Sequence, residues 1–328
     1  MLRKIALLLA TLVALTACSA PAATTPAPTA PKAAKPVSLV LDWYPNAVHS
    51  FILAAEQEGY FKAEGLDVTI KMPAENPTDG IKLVGAGKET FALYYQPDVL
   101  VARGESIPIV SVAAVVRRPL NGIMVREDSG ITSPKDLAGK TVGYPGIPLN
   151  VPMVKTMVQA DVKMTDISWD LVPALATKKT DAIAGGFVNH EKLLLEKEGI
   201  KVRYFAPQDF GVPNYYELVL ITGEETAKND AATVKAFWQA LTKGQNWVKA
   251  NPADALKLLL SKQDKTFPLE AAVEEASLKM LLPWMEDAGL PFGAQKAEDW
   301  KQVADWMVAN GALKAGVNPE QAFVDITK

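Results

Sequence analysis

The sequence predicts a parallel α/β protein organised in two units. Three observations point there. Short apolar runs of strand character alternate with amphipathic helical stretches from Val37 onward, the pattern of β-α-β units. At 328 residues the chain exceeds the size, about 250 to 300 residues, at which a single hydrophobic core stops growing. A second series of strand-like runs opens near Asn121, and Leu218-Val219-Leu220-Ile221 then reads as a strand returning to the first unit.

Val37-Ser38-Leu39-Val40-Leu41 is a short β-type run. From His49 to Phe61, Ile52, Leu53, Ala55 and Glu56 fall at helical spacing, and Gly59 supplies the stop. Gly65 to Ile70 alternates as a strand, a helix follows around Asp79 to Gly85, and Phe91-Ala92-Leu93-Tyr94 is the next strand. Ile109 to Val116 is apolar throughout, as a fully buried strand is. In the second unit Gly122 to Val125 is strand-like, and Ser133-Pro134 offers a helix cap followed by a first-turn proline. Thr141 to Tyr144 is a strand running into a Pro-Gly turn, and Asp181 to Phe187 is another with a glycine-rich end. From Glu224 onward the pattern is helical, with Phe237, Leu241, Trp247, Leu256 and Leu260 on apolar faces. Five of the seven tryptophans lie in this tail, where packing is their expected task.

The N-terminus carries a different message. Arg3 and Lys4 precede an apolar run from Ile5 to Leu15, then Leu15-Thr16-Ala17-Cys18. A basic start, a short apolar core and small residues before the cut make a secretory signal. The core is too short to span a bilayer, which takes about 20 apolar residues. Cys18 is the only cysteine and sits as in the lipobox of bacterial lipoproteins. Residues 1–17 are therefore expected to be removed, and Cys18 to be lipidated on the extracytoplasmic face of the membrane. Residues 18–36 hold only Cys, Ser, Ala, Pro, Thr and Lys, a spacer without the apolar bulk for a core. A formal charge of −3 gives no footing for nucleic acid. Two histidines and a lipidated cysteine leave little for zinc or thiol chemistry.

In open α/β sheets, ligands bind beyond the carboxyl ends of strands, which directs attention to four turns. Asp42-Trp43-Tyr44-Pro45-Asn46-Ala47-Val48-His49 combines aromatic faces with hydrogen-bonding side chains, suited to a small planar polar ligand. Trp43 is either a stacking surface or the buried anchor of a capped turn. Asn46 is a candidate reader of a ring edge, and His49 either joins it or bonds its own backbone. In Tyr94-Tyr95-Gln96-Pro97-Asp98, Tyr95 and Gln96 are candidates, and Asp98 is a further one or simply a first-turn helix acid. Gly143-Tyr144-Pro145-Gly146 offers Tyr144 and free backbone N–H groups, without a phosphate-loop signature. After Gly185-Gly186-Phe187-Val188, Asn189 and Glu191 fit an amino-substituted ring or an ordinary helix start. Tyr216 and Glu217, at the proposed crossover, compete for the same role.

These turns resemble the NMT1/THI5-like family of substrate-binding proteins for bacterial ABC importers, over essentially the whole mature chain. Leu41-Asp42-Trp43-Tyr44-Pro45-Asn46 with His49 is similar to the family's D-W-x-P-N-x-x-H opening, and Gly59 to Val68 to its next signature. Leu137 to Tyr144 is common to many binding proteins. Asn189-His190-Glu191 is similar to the W-N-H-E segment of the pyrimidine-binding branch, with Val188 in place of tryptophan. The resemblance implies a two-lobed, periplasmic-binding-protein-like (type II) α/β fold with hinge crossover strands. Lobe 1 would be residues 37–120 and 215–328, and lobe 2 residues 121–214.

The same resemblance implies capture of a thiamine pyrimidine precursor of hydroxymethylpyrimidine or formylaminopyrimidine type. Riboflavin is the second choice and a sulfonate such as taurine a more distant one. The ring would stack on Trp43 and a tyrosine, while Asn46, Gln96, Asn189 and Glu191 read its edge. A monomer delivering its ligand to a membrane permease, with no cofactor and no metal, is expected. The rival class is an enzyme, since pyrimidine synthases share the fold. Their cofactor lysine and substrate histidine would fall at Tyr94 and Asp98, so no Schiff base is expected there.

Overall fold

The computed structural model describes residues 33–73 and 79–327. The expected leader, Cys18 and most of the expected spacer lie outside them. Among the described residues ten strands form two sheets. The first holds β1 (Lys35–Val40), β2 (Leu66–Lys71), β3 (Phe91–Tyr94), β4 (Ile109–Val116) and, far along the chain, Leu218–Gly223. The second holds β5 (Asn121–Arg126), β6 (Thr141–Tyr144), β7 (Lys163–Asp166), β8 (Ala182–Phe187) and β9 (Val202–Phe205). Leu218–Gly223, the tenth strand, is β10. The strand orders are β2-β1-β3-β10-β4 and β7-β6-β8-β5-β9.

Both sheets are mixed, which corrects the all-parallel expectation. β1 runs parallel to β2 and β3, whereas β10 is antiparallel to β3 and β4. Likewise β6 is parallel to β7 and β8, and β5 is antiparallel to β8 and β9. The connectivity supplies the reason. The chain passes directly from β4 to β5, and returns from β9 to β10. A strand that enters a sheet from its neighbour runs against those that lead out toward it.

Between the strands lie α1 (Ser50–Gln57), α2 (Tyr60–Ala63), α3 (Asp79–Gly85), α4 (Gln96–Gly104), α5 (Asn150–Val158), α6 (Leu171–Ala176) and α7 (Glu191–Lys197). The tail supplies α8 (Glu224–Asn229), α9 (Ala231–Ala250), α10 (Pro252–Ser261), α11 (Ala271–Trp284) and α12 (Ala297–Ala309). The helix expected from His49 to Phe61 is instead a 3-10 turn, Ala47–His49, then α1 and α2. Gly59 makes the break at φ 70°, a left-handed conformation that glycine adopts without steric cost. Ser133 caps as expected, in a capping box with Asp136, but over a short 3-10 turn, Pro134–Leu137, instead of a longer helix. β1 starts at Lys35, inside the predicted spacer, because Lys35 and Pro36 pair with Leu66 and Asp67. The strands β7 and β9 carry no strong apolar alternation and were not legible in the sequence.

The first core stacks Phe61 and Phe91 on Phe237 of α9, at ring separations of 5.3 and 4.1 Å. Next to it α1 and α9 touch at Gly244, where a Cβ would lie 2.1 Å from the Phe51 carbonyl oxygen. Trp238 and Trp300 are buried, and Trp300 stacks on Phe323 at 5.5 Å. The tail tryptophans are packing residues, as their helical spacing implied.

Candidate functional site

The first turn is built by its own polar residues. Asn46 caps the 3-10 turn, its Oδ1 accepting from the Val48 N–H at 3.1 Å and its Nδ2 donating to the Tyr44 carbonyl. The Asn46 N–H donates to His49 Nδ1 at 3.2 Å. That places the imidazole proton on Nε2, which faces Asp42 Oδ1 at 2.9 Å. Asp42 Oδ2 in turn accepts from the Tyr95 hydroxyl at 3.1 Å. His49 is fully buried, so it orients Asp42 and, through it, Tyr95. Asn46 has both ends of its amide engaged locally. Both side chains thus help to build the turn, because a tight turn must satisfy its own backbone N–H groups.

The second turn leaves more unpaired. Gln96 is fully buried; its Oε1 accepts from the Tyr216 N–H at 2.8 Å, and its Nε2 has no partner. Asp98 makes no hydrogen bond or ion pair among the described residues, and burial raises its carboxyl to about 6. Burial, reinforced by the Asp42 and Glu217 carboxylates, holds the Tyr95 phenol well above its ordinary range. The Tyr95 ring meets Phe187 edge-on at 6.5 Å, which brings the ends of β3 and β8 together across the two lobes.

From the second lobe, Tyr144 is half-buried against the core at the end of β6. Asn150 begins α5, fully buried, with both side-chain atoms unpartnered. In the sequence its only cue is its place after the glycine turn. Asn189 is buried and donates to Ser277 Oγ at 3.0 Å, leaving its Oδ1 unpaired. Glu191 accepts from the Phe187 N–H at 2.6 Å and pairs with His190 Nδ1 at 3.1 Å. Its carboxylate is thus taken by the turn instead of facing a ring edge. Burial works against charge on His190, but Glu191 and then Glu274 outweigh it and raise its pKa.

The crossover pair divides. Tyr216 belongs to the C-terminal packing: its hydroxyl donates to Asp299 at 2.6 Å and accepts from the Lys296 N–H at 2.9 Å, with Arg117 over its ring. Its side chain does not join the other candidates, although its backbone N–H holds the Gln96 amide. Glu217 is buried between the two chain crossings, accepting from the Leu120 and Asn121 N–H groups at 2.7 and 3.2 Å. Burial lifts its carboxyl to about 7, against the pull of those two bonds. The charges of Asp42, Asp98 and Glu217 are felt together at Tyr95.

An aromatic rim completes the site. Trp43 is half-buried and lies 5.3 Å from Trp169, which follows β7 of the second sheet. Tyr44 stacks on Phe267 at 4.0 Å. Trp169 and Phe267 remain 56% and 41% exposed. Among the described residues no cluster of three or more His, Cys, Asp or Glu could hold a metal ion, and no helix is long and apolar enough to cross a membrane.

The family model described as NMT1/THI5 like matches residues 46–255. A formylaminopyrimidine-binding protein from Halalkalibacterium halodurans is 46% identical over 303 residues, 90% of this chain and 92% of that one. The chain belongs to the NMT1/THI5-like family. Another relative, a 4-amino-5-hydroxymethyl-2-methylpyrimidine phosphate synthase from Legionella pneumophila, is 28% identical over 231 residues, covering 68% of this chain and 72% of its own. Among solved structures, the periplasmic aliphatic sulphonate binding protein SsuA from Escherichia coli superposes with a TM-score of 0.71 at 15% identity, over 89% of this chain and 92% of that one. Like SsuA, this NMT1/THI5-like chain has the two-lobed periplasmic-binding-protein fold. Its candidate site lies where the carboxyl ends of β1, β3, β6 and β8 converge, as open α/β sheets place their ligands.

Proposed function

We propose that this chain is the substrate-capturing lipoprotein of an ABC importer, holding an amino-substituted pyrimidine of the formylaminopyrimidine class between its lobes. One observation carries the reading. Three buried amides, Gln96, Asn150 and Asn189, keep unpartnered polar atoms, and each follows the carboxyl end of a strand. Buried polar groups are nearly always paired, so unsatisfied amides beyond the ends of β3, β6 and β8 are explained by a polar ligand that completes them. Asp98 supplies an acceptor for a ring amino group. Trp43 and Tyr95 supply faces, each worth roughly 0.5 to 1.5 kcal/mol beyond area burial. Similarity along nearly the full length of a formylaminopyrimidine-binding protein supports the same ligand class.

In this reading Cys18 carries the lipid, the folded part stands outside the cytoplasmic membrane, and the lobes part at the crossings near residues 120 and 215. The protein acts as a monomer and hands its ligand to a permease. Binding favours closure only through contacts made better in the closed form. The synthase reading is disfavoured, because Tyr94 and Asp98 occupy the positions where the enzymes' lysine and histidine would align.

Intrinsic tryptophan fluorescence of the purified protein, titrated with a formylaminopyrimidine, with riboflavin and with taurine, tests the proposal. Saturable one-to-one quenching by the pyrimidine alone is expected. Binding of riboflavin or taurine instead would reassign the ligand, and no response to any of the three would overturn the reading.

A further inference from the structure

α11 touches both halves of the candidate site. Glu270, Glu274 and Ser277 recur at a spacing of four and three residues, which lines them along one helix face. Glu274 accepts from the Ala47 N–H at 2.7 Å and so pins the turn that carries Trp43. Ser277 holds one end of the Asn189 amide at 3.0 Å. Glu270 pairs with Lys197 of α7 at 2.7 Å, an exposed contact of small energetic weight. Glu274 and Ser277 are 2% exposed, so their bonds are made away from water.

Asn189 is where this matters. A planar amide held at one end has its other end aimed, and that other end is buried and unpartnered. We propose that Ser277 and Glu274 are positioning residues that couple ligand capture to lobe closure. Glu274 fixes the first-lobe turn, while Ser277 fixes the second-lobe amide, and the site is complete only when both rest on α11. The Ser277–Asn189 bond crosses between the lobes, so it is lost when they part; the Glu274–Ala47 bond lies within one lobe and persists. The inference rests on the binding-protein reading above and names the residues that make it specific.

Ser277→Ala and Ser277→Thr test it, with association and release of a formylaminopyrimidine followed by stopped-flow fluorescence. Loss of one hydrogen bond of about 1 kcal/mol corresponds to roughly five-fold faster release; association should be unchanged, and threonine should restore slow release. A merely structural role would lower thermal stability without separating release from association. Unchanged release in a folded Ser277→Ala protein would overturn the proposal. Should the wild type bind no pyrimidine, the function reading fails, and the coupling is then decided in ligand-free protein. Spin labels at Glu198→Cys and Lys279→Cys, both exposed sites, in a Cys18→Ser background report the gap between α7 and α11. Longer distances in Ser277→Ala are expected, and an unchanged distribution would refute the coupling.

Discussion

Glu217→Gln probes the buried carboxyl that ties the two chain crossings together. In the folded protein burial raises this group from 4.5 to about 7, so the folded state holds its proton more tightly than the unfolded chain does. Its contribution to stability is therefore fully present below pH 4.5 and is lost as pH rises through about 7. At 4% exposure solvent screening takes little from the effect, and the shift corresponds to about 3 kcal/mol. Glutamine keeps an oxygen for the Leu120 and Asn121 N–H groups and cannot ionise. The variant should therefore gain on the wild type by up to about 3 kcal/mol as pH rises across that window. Urea unfolding of both proteins from below pH 4.5 to above pH 7 gives the difference directly. A difference independent of pH would refute the argument that Glu217 is destabilised by carrying charge between the crossings.

Other outcomes follow from the same geometry. Asp98 keeps its proton up to about pH 6 in the free protein, and a ligand amino group donating to it favours the carboxylate. Affinity should thus rise with pH through about 6 with proton release, measured by calorimetry in buffers of different ionisation enthalpy, and Asp98→Asn should abolish the dependence. An identical pH profile in the variant would exclude Asp98 from ligand contact. Gly244→Ala places a Cβ 2.1 Å from the Phe51 oxygen; separating α1 from α9 should cost roughly 1 to 3 kcal/mol, visible as a lowered melting temperature. Trp43 is half-buried at the rim, so Trp43→Ala should weaken ligand binding while the far-ultraviolet circular dichroism and the cooperative unfolding transition survive. Unchanged affinity would remove Trp43 from the stacking role.

Much of the architecture was legible because it is written locally. The apolar run of β4, the stop at Gly59 and the cap at Ser133 each depend on neighbours within a few residues, and each appears where the spacing placed it. The turns after β1, β3, β6 and β8 were identifiable for the same reason. The α/β alternation, the family signatures and the segments from which a site could be built are all written along the chain. Which side chains in those segments remain free depends on partners that only the packed fold brings near. Asn46, His49 and Glu191 look like ligand readers in one dimension, yet their hydrogen bonds are taken by their own turns. Asp42 and Asn150 lie in candidate turns and Ser277 in none, and only folding reveals the first as the hub of a network, the second as an unsatisfied amide and the third as a bridge. The deciding partners lie far away in sequence: Glu217 is 97 residues from Leu120, Ser277 is 88 from Asn189, and Glu274 is 227 from Ala47. The direction of β5 and β10 was hidden likewise. A strand's own residues fix its pleat and its burial, while its sense depends on the side from which the chain enters the sheet.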